Sequence, residues 1–274
     1  MTPELSETGI KAPLGAIIAI MAQHVDVVHF GDTDHVTLEA IKIVGDPAML
    51  AQLAGAGITE IMLEEHATKQ YAVNEYKNGD MTRSEFADLA KGTWNKNTGE
   101  YTADLVDNAD SFGMEIHFVD PRVNRKTATT MEEEEKKHME TVVNDQGLAG
   151  NIDTALRGRK GLLIYGAGHG EYDVSTDLNG ALQSSYAEIE VWENRKKFEE
   201  DYAFNAEFER DFFPKIAAIK KEPPELVYFL DEKKVYFTSD TPDAMKQDIL
   251  AKFPETVTPS VQPLNHGHFV PSVQ

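Results

Sequence analysis

The stretch GLLIYGAGHG, Gly161 to Gly170, decides how this chain is read. Leu162 to Tyr165 form an unbroken apolar run bounded by glycines, the pattern of a strand buried on both faces, as in a parallel sheet. Gly166 and Gly168 then allow the backbone to turn sharply and approach a ligand closely, and His169 follows. An apolar strand that runs into a glycine-flanked histidine points to a functional end.

Working outward, three more segments share this form. VDVVHF, Val25 to Phe30, is a β-branched run closed by Gly31 and followed by GDTDH. ITEIMLEEH begins as a strand at Ile58 and breaks into polarity after Leu63, at Glu64. MEIHFVDPR alternates from Met114 to Val119 and stops at Asp120-Pro121. Helical segments are expected between them. Thr37 to Val44 is followed by a helix capped by Asp46 with Pro47 at its first position, ending at Gly55 or Gly57. Thr68 to about Leu89 is mainly helical, with the capping-box spacing Thr82 to Glu85. Tyr101 to Ala109 and Leu148 to Leu156 complete the set. Strand–helix–strand units favour parallel pairing with right-handed crossovers.

Further along, Ser184 to Phe213 carries Ile189, Trp192, Phe198, Tyr202, Phe208 and Phe212 at spacings suited to one face of one or two helices, and is read as a helical insertion. LVYFL and VYFTSD predict a hairpin, and Thr241-Pro242-Asp243 caps a last helix to about Phe253. MEEEEKKHME, Met131 to Glu140, is charged all round and reads as a solvated helix without chemistry. The expected fold class is α/β: a single domain over 1–274, a mainly parallel sheet flanked by helices, with the helical insertion at about 184–213, a C-terminal hairpin and a flexible tail from about 254.

Composition narrows the function. Apolar residues make up 41% and charged residues 27%, an ordinary globular balance. Without cysteine there are no disulfides, thiolate nucleophiles or Cys-ligated metals, which leaves histidine and carboxylates as metal ligands. With 47 acidic against 26 basic residues the formal charge is -21, which repels phosphate backbones and anionic membranes, so neither nucleic acid nor membrane is an expected partner. Leu14 to Met21 is too short to span a bilayer and lacks a basic leader. The expected location is cytoplasmic; an effector exported without a classical signal would look the same.

In open parallel sheets ligands bind outside the carboxyl ends of the strands. All four inferred strands end in ionisable residues there: Asp32, Asp34 and His35; Glu64, Glu65 and His66; Asp120 and Arg122; His169 and Glu171. His35, Glu64, His169 and Asp32 are the candidate catalytic residues, with Gly31, Arg122, Gly166 and Gly168 as substrate-binding candidates. His35, Glu64 and His169 could bind a divalent metal, or act as base, stabilising carboxylate and acid. Each has a structural alternative: His35 could cap the next helix, and Glu64 could pair with Arg122 or a lysine. His266 and His268 in LNHGHF would lie on one face if extended and are extra ligand candidates. His24, His29, His117 and His138 read as structural or surface residues.

These positions also carry a resemblance. FGDTDH, IMLEEH with the following QYAVNEYKNGDMTRSEFADLAKGTW, GMEIHFVDPR and NDQGLAGNIDTALRGRKGLLIYGAGHG are similar to the ChaN-like haem-binding uptake family. More distantly they resemble the erythromycin esterase, TIKI and TraB proteins grouped with it, over roughly residues 20 to 172. In that superfamily the first strand ends in a Gly-Glu-x-x-His or Gly-x-x-His turn, the second in Glu, and a later one in Gly-x-x-His after an Arg-Asp-x-x-Met-Ala-type helix. Gly31, Asp32 and His35, then Glu64, then Gly166 and His169 match, and Asn144-Asp145 through Leu148-Ala149 resembles the preceding helix. Asp32 stands where Glu is usual and Asn144 where Arg is usual.

The esterase and TIKI relatives imply a hydrolase of ester, amide or peptide bonds: His35 activates a water directly or on a divalent metal, Glu64 orients it or binds that metal, and His169 assists. The partner would be a small-molecule or peptide substrate, and a homo-oligomer is compatible. The haem-uptake relatives imply instead haem binding without catalysis, with Tyr172 or His66 as axial-ligand candidates. A toxin or effector module acting inside a host cell is a third reading.

Overall fold

The structure, a computed structural model, describes residues 2–33, 39–91, 97–121 and 128–254. Eight strands lie among them: β1 (Ile10–Lys11), β2 (Val27–Asp32), β3 (Ile58–His66), β4 (Glu115–Asp120), β5 (Lys160–Gly166), β6 (Tyr186–Trp192), β7 (Leu226–Phe229) and β8 (Lys234–Phe237). They form one sheet in the order β1-β8-β7-β6-β2-β5-β3-β4. Pairing is parallel from β7 across to β4, while β8 runs antiparallel to both β7 and β1. The fold is α/β with a mainly parallel sheet flanked by helices, as the four apolar runs predict.

Strand alternation divides the core. On one face Val28, Phe30, Ile61, Leu63, Leu162, Ile164, Ile189 and Val191 are buried against the helices Leu14–His24, Pro47–Gly55, Thr98–Asp110 and Asp243–Lys252. Each such side chain contributes roughly 1.5–3 kcal/mol when fully buried. On the other face Val27, Met62, Val119, Leu163 and Tyr165 pack on Leu148, Ile152 and Leu156 of the helix Gln146–Leu156, and Trp192, Val227 and Phe229 pack on Phe198. The local signals behave as read. Asp46 accepts from the amides of Ala48 and Met49, and Thr82 and Glu85 form a capping box.

Two readings change. Residues Tyr186–Trp192, within the segment read as helical, are strand β6, in the sheet beside β2; only the part from Arg195 to Phe212 is a long helix. The sequence YAEIEVW alternates with period two, but its glutamates suggest a solvated face, and here Glu188 and Glu190 are buried. Similarly, the helix Met131–His138 is not solvated all round: Glu135 is buried and accepts from the amide of Lys215 at 2.7 Å. The tail after residue 254 lies outside the described residues.

Topology places a crevice. The crossovers leaving β2 and β3 lie on the first face, and those leaving β4, β5 and β6 on the second. β2 thus sends its chain to one side while its neighbours β5 and β6 send theirs to the other. At such a switch point the loops part and leave a crevice outside the carboxyl ends.

Candidate functional site at the carboxyl edge

The ends of β2, β5 and β3 are brought together by backbone register. Asp32 is the pairing partner of Gly166 and of Val191, and Thr33 Oγ1 donates to the carbonyl of Val191 at 2.7 Å. Strand β3 pairs with β5 as far as Leu63 and Ile164 and its register against β4 then shifts. That shift frees Glu64 to reach across, where its Oε2 accepts from the amide of Gly166 at 3.0 Å. A carboxylate therefore ties the end of the second sequence-predicted strand to the turn of the fourth.

That turn, Ala167–His169, is a single 3-10 turn that carries His169 into a buried position. Its Nδ1 is hydrogen-bonded to Asp145 Oδ2. The ring meets Tyr165 edge-on, with centroids 4.6 Å apart. Asp145 is itself buried, at the start of the helix Gln146–Leu156 and just after the π-helical turn Met139–Val143; such turns recur at functional sites. Asn144 is fixed beside it, donating to the carbonyl of Met139 and accepting from Thr176 Oγ1, each at 2.6 Å. A carboxylate on Nδ1 holds the ring's orientation and its tautomer.

Of the sequence-predicted residues, Gly31, Asp32, Glu64, Gly166, Gly168 and His169 all stand on this edge. His35, Arg122, His266 and His268 lie outside the described residues. The glycines differ in purpose. A Cβ on Gly31 would come within 2.6 Å of Glu188 Oε1, whereas one on Gly168 would meet only Glu171 Oε1, at 3.6 Å. Gly31 is required for close packing, and Gly168 is not.

Sequence reasoning gave Asp145 no role of its own, although it sits in the block noted before His169; at the start of its helix it makes no side-chain cap. It also passed over a polar layer under the crevice. His29 on β2 is fully buried, its Nε2 3.1 Å from the carbonyl of Tyr165 and its Nδ1 2.5 Å from the Tyr186 hydroxyl. Burial pushes it down to about 3, so it is neutral. Glu190 accepts from Trp192 Nε1 at 2.8 Å and from the Tyr202 hydroxyl, and burial raises it to about 7. Lys221 bridges Glu171 and Glu209 at 2.9 and 2.7 Å. Tyr172 is buried beneath that lysine and pairs with Lys221 in a backbone bridge, and its hydroxyl lies 3.3 Å from His138 Nε2. His66 ends β3 with a buried Nδ1 that has no hydrogen-bond partner.

A second histidine–carboxylate group stands at the amino ends of the strands. Glu60, Glu115 and His117 offer ligand atoms within 4.8 Å of one another and could hold a metal. His117 Nε2 lies 2.6 Å from Glu60 Oε2, and Arg159 Nε lies 2.9 Å from Glu60 Oε1. Arg159 already supplies the positive charge that a metal would bring. Among the described residues this is the one three-ligand group, and the described members of the carboxyl edge do not form one.

No family model and no curated protein matches the chain. Among solved structures it is similar to the type III effector HopBA1, with 16% identity and a TM-score of 0.53 over 68% of this chain and 87% of that one. It is also similar to a structure described as bacterial protein toxins, at 16% identity and a TM-score of 0.51 over 66% of this chain, and it spans only 37% of that chain's length. ChaN of Campylobacter jejuni, solved with cofacially bound haem, overlaps at 12% identity and a TM-score of 0.42, over 68% of this chain and 92% of that one. At these identities the likeness is one of fold. Among the described residues no helix is long and apolar enough to cross a membrane.

Proposed function

We propose that the carboxyl-edge crevice is a hydrolytic site for an ester, amide or peptide bond. The observation that carries this reading is the buried Asp145–His169 pair, set at the switch point of the sheet. His169 Nε2 takes a proton from water as the water attacks the carbonyl carbon, and returns it to the leaving group. Asp145 holds the imidazole in place. Glu64, anchored on the amide of Gly166, and Asp32 line the same edge and orient the water. His35, outside the described residues, is the second base we assign, with Arg122 as a substrate contact.

A divalent ion, if the protein carries one, would be held by His35, Glu64 and His169 and would acidify a bound water. Because the described carboxyl-edge residues do not gather three ligand atoms, no step here is routed through it. The likeness to HopBA1 and to the bacterial toxin structure supports placing this activity in an effector-type module working on a small-molecule or peptide substrate inside another cell.

The test is to purify the protein without added cofactor, measure its metal content, record its spectrum with and without haem, and assay ester, amide and peptide panels. Hydrolysis that is lost in His169→Ala supports the proposal. A haem spectrum that a histidine substitution abolishes, together with no hydrolysis across the panels, contradicts it.

A further inference from the structure

The floor of the crevice holds a carboxyl group that the proposed reaction does not use. On β6, Glu188 is the register partner of His29 on β2, and both are buried. The Glu188 carboxyl sits between two turns. A Cβ on Gly31 would stand 2.6 Å from its Oε1, and a Cβ on Gly170, the residue after His169, would stand 2.7 Å from its Oε2 and 2.3 Å from the Tyr186 hydroxyl. A methyl on either side would require the Glu188 carboxyl to move. Oε1 lies 3.2 Å from His29 Nδ1 without making a hydrogen bond there, and it has no other hydrogen-bond partner.

We propose that Glu188 is a positioning residue for His169: its carboxyl, seated between Gly31 and Gly170, sets where the turn carrying the imidazole rests over the end of β2. The proposal rests on the hydrolytic reading only for the importance it gives to His169.

The protonation state follows from what faces the group. On β2, His29 is neutral and gives its Nε2 hydrogen to the carbonyl of Tyr165, so its Nδ1 is an acceptor, filled by the Tyr186 hydroxyl. An ionised Oε1 would face a lone pair at 3.2 Å. The other charged groups around it are Glu190 on the same strand, Glu225 before β7, and Glu171 and Asp177 in the segment after His169; each raises its pKa further. Lys221, the lysine of this layer, is taken by Glu171 and Glu209. A carboxylate here would be a buried, uncompensated charge, and burial pushes Glu188 well above the usual carboxylate range.

Imidazole NMR of His169 in the full chain tests this without a substrate. Glu188→Gln keeps a planar group of the same size, and His169 should keep the wild-type Nδ1–H signal. Glu188→Ala opens a gap between Gly31 and Gly170, and should shift and weaken the Nδ1–H signal of the bond to Asp145. The proposal is overturned if a folded Glu188→Ala leaves His169 unchanged, or if Gln disturbs it as much as Ala does. Should Glu188→Ala fail to fold, Glu188→Asp decides: one methylene shorter, it should shift the same Nδ1–H signal, and a folded Glu188→Asp with the wild-type signal overturns the proposal. A protein that hydrolyses nothing would sink the reaction while leaving these readouts intact.

Discussion

The two ends of the sheet each bury a carboxylate against a histidine, and they do so differently. At the amino ends Glu60 is shared between His117 and Arg159, so the charge is balanced by a permanently positive guanidinium. At the carboxyl ends His169 is held by Asp145 on one nitrogen, under a 3-10 turn at the switch point, above a floor of carboxyls pushed up by burial. The first arrangement is neutralised and static. The second sets a histidine–carboxylate pair in a buried setting beside other buried carboxyls, the kind of setting in which pKa values are shifted.

The sharpest way to break this contrast is at Asp145. Asp145→Asn keeps the shape but not the charge that steadies the imidazolium, and should lower kcat/KM about 10²–10⁴-fold while circular dichroism stays native. An equal loss from Glu60→Gln would erase the distinction between the ends.

Stability against pH separates them next. Burial raises Glu225 from 4.5 to about 7, and its Oε2 accepts from the amide of Glu188 at 2.6 Å. With the folded value above the unfolded one, its contribution is complete below pH 4.5 and is lost as pH rises through about 7. Glu225→Gln should therefore gain ~1–3 kcal/mol over wild type at about pH 8 and little at about pH 5. Glu60→Gln, which takes a charged partner from Arg159, should lose stability at both. Urea titrations at the two pH values would show it.

Within the crevice, Gly31→Ala pushes a methyl against Glu188 and should cost ~1–3 kcal/mol, whereas Gly168→Ala, at an ordinary backbone angle with open space around it, should stay within ~0.5 kcal/mol. A smaller effect is expected for metal. Removing the guanidinium with Arg159→Ala should strengthen Co²⁺ binding at Glu60, Glu115 and His117 roughly tenfold, read by visible absorption.

Much of the carboxyl edge was legible because strands buried on both faces write themselves as apolar runs: Gly161 to Tyr165, Val25 to Phe30 and Ile58 to Leu63 all fall within a residue or two of β5, β2 and β3. Glu64 and His169 were legible for the same reason, as the first polar groups past those runs, although β3 itself continues three residues beyond Leu63, to His66. What stayed hidden was polar burial. Strand β6 alternates, but its glutamates meet protein instead of water, Glu190 the helix that carries Tyr202 and Glu188 the turns at Gly31 and Gly170, and no pattern within seven residues announces that. Asp145 stayed hidden because its partner is 24 residues away and its local context, the start of a helix, has an ordinary explanation. The position of Asn144, where the resembled family has arginine, is filled by ties to Met139 and Thr176, which shape the turn that presents Asp145.

The most direct measurement sets the two histidines side by side on one substrate found by the hydrolysis panels. His169→Ala should lower kcat/KM by about 10²–10⁴-fold and His117→Ala by no more than about twofold, both proteins folded. A His169→Ala protein that keeps wild-type kcat/KM, or a His117→Ala protein that loses as much, would contradict the assignment of the carboxyl edge as the reacting end.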